Sequence, residues 1–207
     1  VVPSGDYPSE KKLLEELETY DEVDSTLGLS NVEAMGGYML TDALNPRQFS
    51  ELTDLDYEVA ELLYAAYAAE TKNYGKIIGG LPNYSVPLID MFSFLYDEMQ
   101  QGYVSLDDDM TKTLEDANTQ IQNAKKQLQS DSYSRMLVYL NLPVGGDETY
   151  DFLDQIRLVT KSYYPDGDVY VVGDSSSEQD FKASFSRDNV VVSVLSILIV
   201  LVVLLFT

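Results

Sequence analysis

Hydrophobic and polar positions along this chain follow two periods, the period of a helix and the alternation of a strand. Both occur in the first part of the chain. Residues 9–20 carry leucines on one side of a short helix, after a strand stub at residues 1–2. Residues 22–29 then alternate apolar and polar positions, as a half-buried strand does. The pattern therefore predicts a β-α-β unit over residues 1–42.

A helical period replaces this alternation from Asn45 onwards. Residues 45–52 start with an Asn-Pro cap, and residues 56–72 and 88–102 repeat apolar side chains every three or four positions. The intervening residues 74–87 are rich in glycine and proline, which predicts turns. Three helices are therefore expected in this part of the chain.

The longest predicted helix begins near Ser105, which is placed to cap it. Acids at residues 107–109 occupy its first turn and Lys125 and Lys126 lie toward its end, in agreement with the helix dipole. Its apolar side chains recur every three or four positions, at Leu106, Met110, Leu114, Ala117, Ile121, Ala124 and Leu128. This spacing predicts a coiled-coil-like face that packs against a neighbouring helix.

The strand period returns after residue 131. Residues 133–144 predict a strand, residues 148–164 a helix, and residues 168–174 a second strand behind a Pro-Asp-Gly turn. Residues 132–174 are therefore expected to form another β-α-β unit.

The two β-α-β units and the helices between them define the predicted fold class. We expect an α+β fold in which a ferredoxin-like split βαβ core, residues 1–42 and 132–174, carries a long helical insertion at residues 43–131. A linker helix at residues 175–189 then leads into a final apolar helix at residues 190–207.

The final eighteen residues carry no charge, and their only polar side chains are Ser193, Ser196 and Thr207. A helix of this length covers about 27 Å, just short of a hydrocarbon core of about 30 Å. The alternative is a buried core helix, but the run is apolar on every face, which favours a membrane span. The chain also begins without methionine or a basic region, so we expect fragment boundaries at both ends.

Charge and composition exclude several classes of function. The 35 acidic against 13 basic residues give a net charge of -22, so the surface repels nucleic acid and anionic lipid headgroups. With no His and no Cys, a Ser-His-Asp triad, a thiol nucleophile and a Cys or His zinc site are excluded. The acids at residues 107–109 lack the alternation and central glycine of a calcium loop. We expect no enzyme activity, no metal and no cofactor.

Aromatic and apolar side chains concentrate in the predicted insertion. Tyrosines recur at Tyr57, Tyr64, Tyr67 and Tyr74, and a second group follows at Tyr84, Met91, Phe92, Phe94, Tyr96 and Met99. The second group is a candidate hydrophobic groove for an acyl chain or a docking partner. The alternative is a helix–helix core with tyrosine at its rim.

Short motifs near the end of the chain carry a resemblance to a transporter family. Gly173 and Asp174 follow a predicted strand, and Asp180 and Asp188 lie on the linker helix before the apolar run. These features resemble the extracytoplasmic loops of the MmpL-like (MMPL) branch of the resistance-nodulation-division (RND) superfamily, in its Gram-positive form. The likeness also includes the segments SYSRMLVYLNLP and LNPRQFSELT. It implies that the four residues connect the domain to the membrane.

The resemblance implies a parent protein with about a dozen membrane helices in two similar halves, each with one such outer loop. Families of this kind export hydrophobic molecules by using the proton gradient, and their proton-relay acids lie in membrane helices outside this chain. Only Lys182 and Arg187 lie close before the apolar run, and this scarcity of basic residues favours an extracytoplasmic position. We therefore expect the porter domain of a multi-pass exporter in the cell membrane, with lipid-like cargo.

A second hypothesis belongs to another class of protein. The chain would be the extracellular domain of a membrane-anchored receptor or cell-surface interaction protein, with the insertion binding a partner and the final helix serving as an anchor. Several further membrane helices in the parent would favour the exporter, and a single span would favour the receptor. The insertion is also a candidate surface for self-association.

Overall fold

Short strands and longer helices alternate along the chain in a computed structural model that describes residues 1–72 and 80–206. The first part of the turn-rich stretch, including Tyr74, and Thr207 of the predicted span lie outside the described residues. The strands are β1 (Val2–Pro3), β2 (Val23–Leu27), β3 (Ala43–Leu44), β4 (Val86–Pro87), β5 (Tyr133–Ser134) and β6 (Leu137–Leu140). The helices are α1 (Tyr7–Leu17), α2 (Pro46–Thr53), α3 (Tyr57–Glu70), α4 (Leu88–Gln100), α5 (Asp108–Leu128), α6 (Asp147–Tyr163) and α7 (Asp174–Phe206). The chain is α+β, as the sequence predicts.

The starts of the first two helices follow from the side chains that cap them. α1 begins at Tyr7, earlier than predicted, because the Asp6 carboxylate accepts a hydrogen bond from the Ser9 N–H at 3.1 Å. α2 has a capping box, in which the Asn45 and Gln48 side chains each accept from the backbone N–H of the other. These caps satisfy N–H groups that a helix cannot bond internally.

The start of α5 differs from the prediction. Its cap is Asp107, whose carboxylate accepts a hydrogen bond from the Met110 N–H at 2.8 Å. The prediction of Ser105 as the cap is wrong, and Leu106 precedes the helix instead of opening its apolar seam. A carboxylate next to two further acids in the first turn suits the helix dipole better than a hydroxyl two residues earlier.

The apolar seam of α5 faces the interior of the chain. Its buried members, Leu114, Ile121 and Leu128, belong to the same group of packed side chains as α4. An ion pair adds to this contact, with Lys125 Nζ 3.8 Å from Asp90 Oδ1. The neighbouring helix that the seam predicts is therefore α4 of the same chain.

The strands pair in three two-stranded antiparallel sheets. β1 pairs with β5 and β2 pairs with β6, so two of the sheets join the first predicted β-α-β unit to the second. β3 and β4 form the third sheet, which the sequence pattern does not predict because each strand has only two residues.

The prediction of a regular strand at residues 168–174 is wrong. Within the described part of the chain, this segment bonds to the sheet through Tyr170, which exchanges two backbone hydrogen bonds with Val1 at 2.7 and 2.9 Å. One bonded residue pair does not make a ladder, so the segment is extended without being a strand. The hydrogen bonds still place four extended segments next to one another. Their order is the segment at Tyr170, then β1, then the consecutive strands β5 and β6, and finally β2.

Two separate groups of buried apolar side chains form the interior. The α/β cluster lies among the small sheets, α1 and α6, and consists of Val2, Leu13, Leu17, Val23, Phe152, Leu153, Ile156 and Tyr164. The insertion cluster lies mainly among α2, α3, α4 and α5, and consists of Leu29, Leu40, Leu44, Phe49, Ala60, Leu63, Tyr64, Ala68, Tyr84, Val86, Leu88, Ile89, Met91, Phe92, Phe94, Leu95, Leu114, Ile121 and Leu128. Leu29 and Leu40 thus pack with the insertion although they precede its predicted start at residue 43.

The last element is one uninterrupted helix. α7 has 33 residues, which corresponds to a length of about 50 Å at 1.5 Å per residue. The predicted linker helix and the predicted membrane helix are therefore parts of a single rod. Among the described residues, the segment Asp174–Val200 is the one that is long and apolar enough to cross a membrane, and its apolar window is not buried within the protein.

Candidate functional site

The six side chains predicted to line a groove lie in or against the insertion cluster. Four of them are buried and two are half-buried at the edge of the cluster. The buried side chains are Tyr84, Met91, Phe92 and Phe94, and the half-buried side chains are Tyr96 and Met99. A side chain that is already packed on all sides has no surface left to offer to an acyl chain.

Ring contacts tie these side chains to other helices. The ring centres of Phe92 and Phe49 are 5.7 Å apart, and those of Tyr84 and Tyr64 are 6.3 Å apart in an edge-to-face arrangement. The Tyr64 hydroxyl donates a hydrogen bond to the Leu44 carbonyl oxygen at 2.7 Å. These are the geometries of a packed aromatic interior. The structure therefore favours the alternative of a helix–helix core over that of a groove.

Burial also changes the acidity of the tyrosines in this core. Burial, with the negative charge of Asp90 as a second cause, raises the pKa of Tyr67 to about 12. Burial likewise raises the pKa of Tyr64 above its ordinary value. Both hydroxyls therefore stay protonated at neutral pH.

A cavity of about 380 Å³ lies in the α/β unit, between β6 and residues 170–176. Its walls include buried side chains of α1 and α6 together with exposed side chains of β6 and of the extended segment after α6, namely Leu17, Leu153, Ile156, Tyr139, Tyr170 and Val172. The cavity therefore extends from the α/β cluster to the exposed side of the sheet. None of the predicted groove residues lines it. Sequence reasoning missed it because its walls come from distant parts of the chain.

The contact between α6 and α7 joins the α/β unit to the apolar helix. Lys182 Nζ lies 2.6 Å from Asp147 Oδ1 and 5.1 Å from the centre of the Tyr150 ring. One turn earlier, Arg157 Nη1 donates a hydrogen bond to Gln179 Oε1 at 2.8 Å. The hydrogen bond from Lys182 lowers the pKa of Asp147 and raises that of Lys182 itself. These contacts hold the first turns of α7 against α6, and we call them the α6–α7 junction.

The four predicted linker residues all lie on this connection. Gly173 has a φ of 157°, a value that other residues rarely adopt, at the point where the extended segment turns into α7. Asp174 is the first residue of α7, and Asp180 and Asp188 are exposed farther along it. Within the described residues, neither Asp180 nor Asp188 has an ion pair or a side-chain hydrogen bond. Their role as linker positions stays a prediction.

Sequence reasoning missed the residues that do make the junction. Gln179 and Lys182 are three positions apart on α7, so they share one face of the helix. Their partners Arg157 and Asp147 lie on α6, at least 22 residues away along the chain. The only available signal was a mixed polar face on a helix that continues into an apolar run.

A buried carboxyl group lies where the two parts of the chain meet. Glu10 is 2% exposed, and its Oε1 accepts a hydrogen bond from the Ser30 N–H at 3.0 Å. Burial raises the pKa of Glu10, although the hydrogen bonds that it accepts act in the opposite direction. A side chain at Gly28 would bring a Cβ within 2.8 Å of the same oxygen, so this close approach requires glycine. The group links α1 to the turn that opens the insertion cluster.

Comparison with protein families identifies the family of this chain. The MMPL family model matches residues 91–207, which is more than half of the chain and includes α5, α6, the α6–α7 junction and the apolar helix. No curated protein and no solved structure matches the chain. The matched region thus contains both the junction and the candidate membrane span. The chain belongs to the MMPL family of membrane transporters, within the RND superfamily.

Proposed function

We propose that this chain is the extracytoplasmic porter domain of a proton-driven MMPL exporter, which passes hydrophobic or lipid-like cargo outward. The observation that carries the proposal is the continuity of α7. This helix contacts α6 through Gln179 and Lys182 and then extends into the apolar segment without a break. A continuous helix transmits a movement of the membrane part to the α/β unit, because a helix of this kind is stiff along its length.

We also propose that the α/β unit is a ferredoxin-like porter core. Four antiparallel pieces in the order Tyr170, β1, β5 with β6, and β2 support this assignment, together with the packing of α1 against α6. A compact unit of this kind tilts as a rigid body when its connection to the membrane moves. Export would then proceed by opening and closing of the spaces around the unit.

The proposal assigns separate roles to the other parts of the chain. Residues 43–131 are an accessory helical unit with its own interior, residues 175–189 are the linker, and the chain itself catalyses no reaction. Self-association through the seam of α5 is not part of the proposal, because the buried side chains of that seam pack with α4 of the same chain.

An interruption of α7 tests the proposal in the parent transporter. Ala183→Pro places a helix breaker between the α6–α7 junction and the apolar segment. We expect export to fall by about tenfold or more, because the junction and the span no longer move together. Lipids at the cell surface are compared by mass spectrometry between cells that carry the native and the altered gene, with and without a protonophore.

Ser184→Ala is the matched control, because Ser184 is the next residue on the same exposed part of α7. We expect this variant to export normally. Both proteins are quantified in isolated membranes, so that a loss of protein is not mistaken for a loss of transport. Native export by Ala183→Pro would contradict the role of α7, and surface lipids unchanged on deletion of the gene would contradict the class of cargo.

A further inference from the structure

Helix α1 packs in the α/β unit and also makes polar contacts with the insertion. Its Leu13 side chain is fully buried in the α/β cluster. Lys11 Nζ lies 2.8 Å from Asp42 Oδ1, next to the start of β3. The Tyr7 hydroxyl donates a hydrogen bond to Gln129 Oε1, at the end of α5, at 3.3 Å. α1 therefore attaches the α/β unit to the insertion.

Glu10 is the buried member of this attachment. Its side chain is 2% exposed, and its Oε1 accepts a hydrogen bond from the Ser30 N–H at 3.0 Å. The Ser30 hydroxyl in turn donates to the Tyr7 carbonyl oxygen at 3.3 Å. Ser30 is buried too, and its neighbour Leu29 belongs to the insertion cluster. The contact between Glu10 and Ser30 thus lies where the two clusters meet, away from solvent.

No positive charge balances the Glu10 carboxylate among the described residues. Burial raises its pKa and hydrogen bonds act against this rise, and neither a lysine nor an arginine contributes to the shift. Lys11, the next residue on α1, is paired with Asp42. Ionisation of Glu10 therefore creates a buried charge without a counter-ion, which is costly.

Tyrosines and acids surround Glu10 in the described part of the chain. They are Tyr7 on α1, Tyr164 after α6, Asp6 before α1, and Asp90 on α4 beside Lys125. Burial raises the pKa of Tyr7 and of Tyr164, and the charge of Glu10 adds to both shifts. The nearby Ser134 and Tyr164 hydroxyls are buried without a hydrogen-bond partner among the described residues. These surroundings favour a neutral Glu10.

We propose that Glu10 is a proton-responsive lock between the two parts of the chain. While it is protonated, it holds α1 against the turn at Leu29–Asn31, and when it ionises this contact opens and loosens the attachment of the insertion. Opening lets water reach the carboxylate, which removes the cost of a buried charge. The lock goes beyond the proposed function, since it holds whatever the cargo is. Its use as a sensor of external pH rests on the extracytoplasmic placement in that proposed function.

Hydrogen exchange in the parent transporter tests the lock, because the Ser30 N–H that bonds to Glu10 is itself exchangeable. Exchange is followed by peptide-resolved mass spectrometry from pH 4.5 upwards, starting at the ordinary pKa of this carboxyl group. The rate in residues 28–32 is divided by the rate in α6 from the same sample, which removes the ordinary effect of pH on exchange. We expect this ratio to rise about fivefold or more as the pH passes the raised pKa of Glu10.

Three variants assign the response to one group. Glu10→Gln cannot ionise but keeps an oxygen that can accept from the Ser30 N–H, so its ratio should stay constant over the same pH range. Glu15→Gln is the matched control, because Glu15 is exposed on the same helix. Asp90→Asn is a second control, because burial raises the pKa of Asp90 as well. Both controls should keep the rise seen in the native transporter.

Two kinds of result would overturn the lock. A ratio that does not change with pH in the native transporter would mean that the contact does not respond to protons, and this result depends on no variant. The same rise in Glu10→Gln, or its loss in Asp90→Asn, would assign the response to another group. Export is measured separately with the α7 variants, so failure of the lock and failure of the proposed function are distinguishable.

Discussion

The insertion cluster and the α/β cluster are built in different ways. In the insertion cluster, ring contacts run from Phe92 through Phe49 and Tyr64 to Tyr84, and the Tyr64 hydroxyl has a partner. The α/β cluster borders a cavity of about 380 Å³, and the buried Tyr164 hydroxyl has no partner among the described residues. The difference teaches that ring contacts and a paired hydroxyl fill the insertion cluster, whereas the α/β unit combines a smaller cluster with a cavity at its side.

Removal of a ring from the insertion cluster is expected to have the largest effect. Phe49→Ala deletes a fully buried side chain between Tyr64 and Phe92, so we expect a loss of about 3–5 kcal/mol in the free energy of unfolding. If the two clusters are independent, hydrogen exchange becomes faster in α2, α3 and α4 and stays unchanged in α6. Hydrogen exchange resolved by peptide segment measures both regions in one sample.

Leu62→Ala is the matched control for this comparison. Leu62 lies on α3 but is 71% exposed, so we expect a change within about 0.5 kcal/mol. Faster exchange in α6 as well as in α2 to α4 of Phe49→Ala would mean that the clusters unfold together, and the comparison between them would fail.

We expect the removal of one hydroxyl from each cluster to change the free energy of unfolding by different amounts or in opposite directions. Tyr64→Phe removes the hydrogen bond that the buried hydroxyl donates to the Leu44 carbonyl oxygen, so we expect a loss of about 0.5–1.5 kcal/mol. Tyr164→Phe removes a buried hydroxyl that has no partner in the described part of the chain, so we expect no loss or a small gain in stability. Denaturant unfolding of both variants, followed by circular dichroism, makes the comparison. Equal losses would mean that Tyr164 has a partner of comparable strength.

The helices were the part of the fold that the sequence predicted well. Amphipathic periods place α2 to α6 within a few residues of their observed bounds, because that signal is repeated along each helix. The caps Asp6 and Asp107 were missed, since several neighbouring polar residues compete for each cap position. The extended segment at Tyr170 was predicted as a strand, but pairing depends on distant residues that a local pattern does not contain.

The candidate site was harder to predict than the fold. An apolar side chain such as Phe92 has the same pattern whether it lines a groove or fills a core, so the sequence left both alternatives open. The α6–α7 junction and the cavity depend on which faces of separate elements meet. The break between a strand-like and a helical pattern at Gly173 and Asp174 is visible in the sequence alone, but their role as linker positions stays a prediction.

The smallest predicted effect belongs to Glu10, at the boundary between the two regions. Burial raises its pKa above the ordinary value of 4.5, so the folded state binds this proton more tightly than the unfolded state does. The penalty for burying its charge is therefore absent below pH 4.5 and grows as the pH rises through the folded pKa. Rising pH should weaken the attachment of α1 to the turn at Leu29–Asn31.

Glu10→Gln removes this charge and keeps an oxygen that can accept from the Ser30 N–H. We expect the free energy of unfolding of the variant to rise relative to the native protein as the pH rises from 4.5 through the raised folded pKa of Glu10, as measured by denaturant unfolding at several pH values. Burial also raises the pKa of Asp90, but that group is common to both proteins and cancels in the difference. Glu15→Gln, on the exposed side of the same helix, is the control for net charge. The same gain in Glu15→Gln would assign the effect to the charge of -22 and not to the boundary between the clusters.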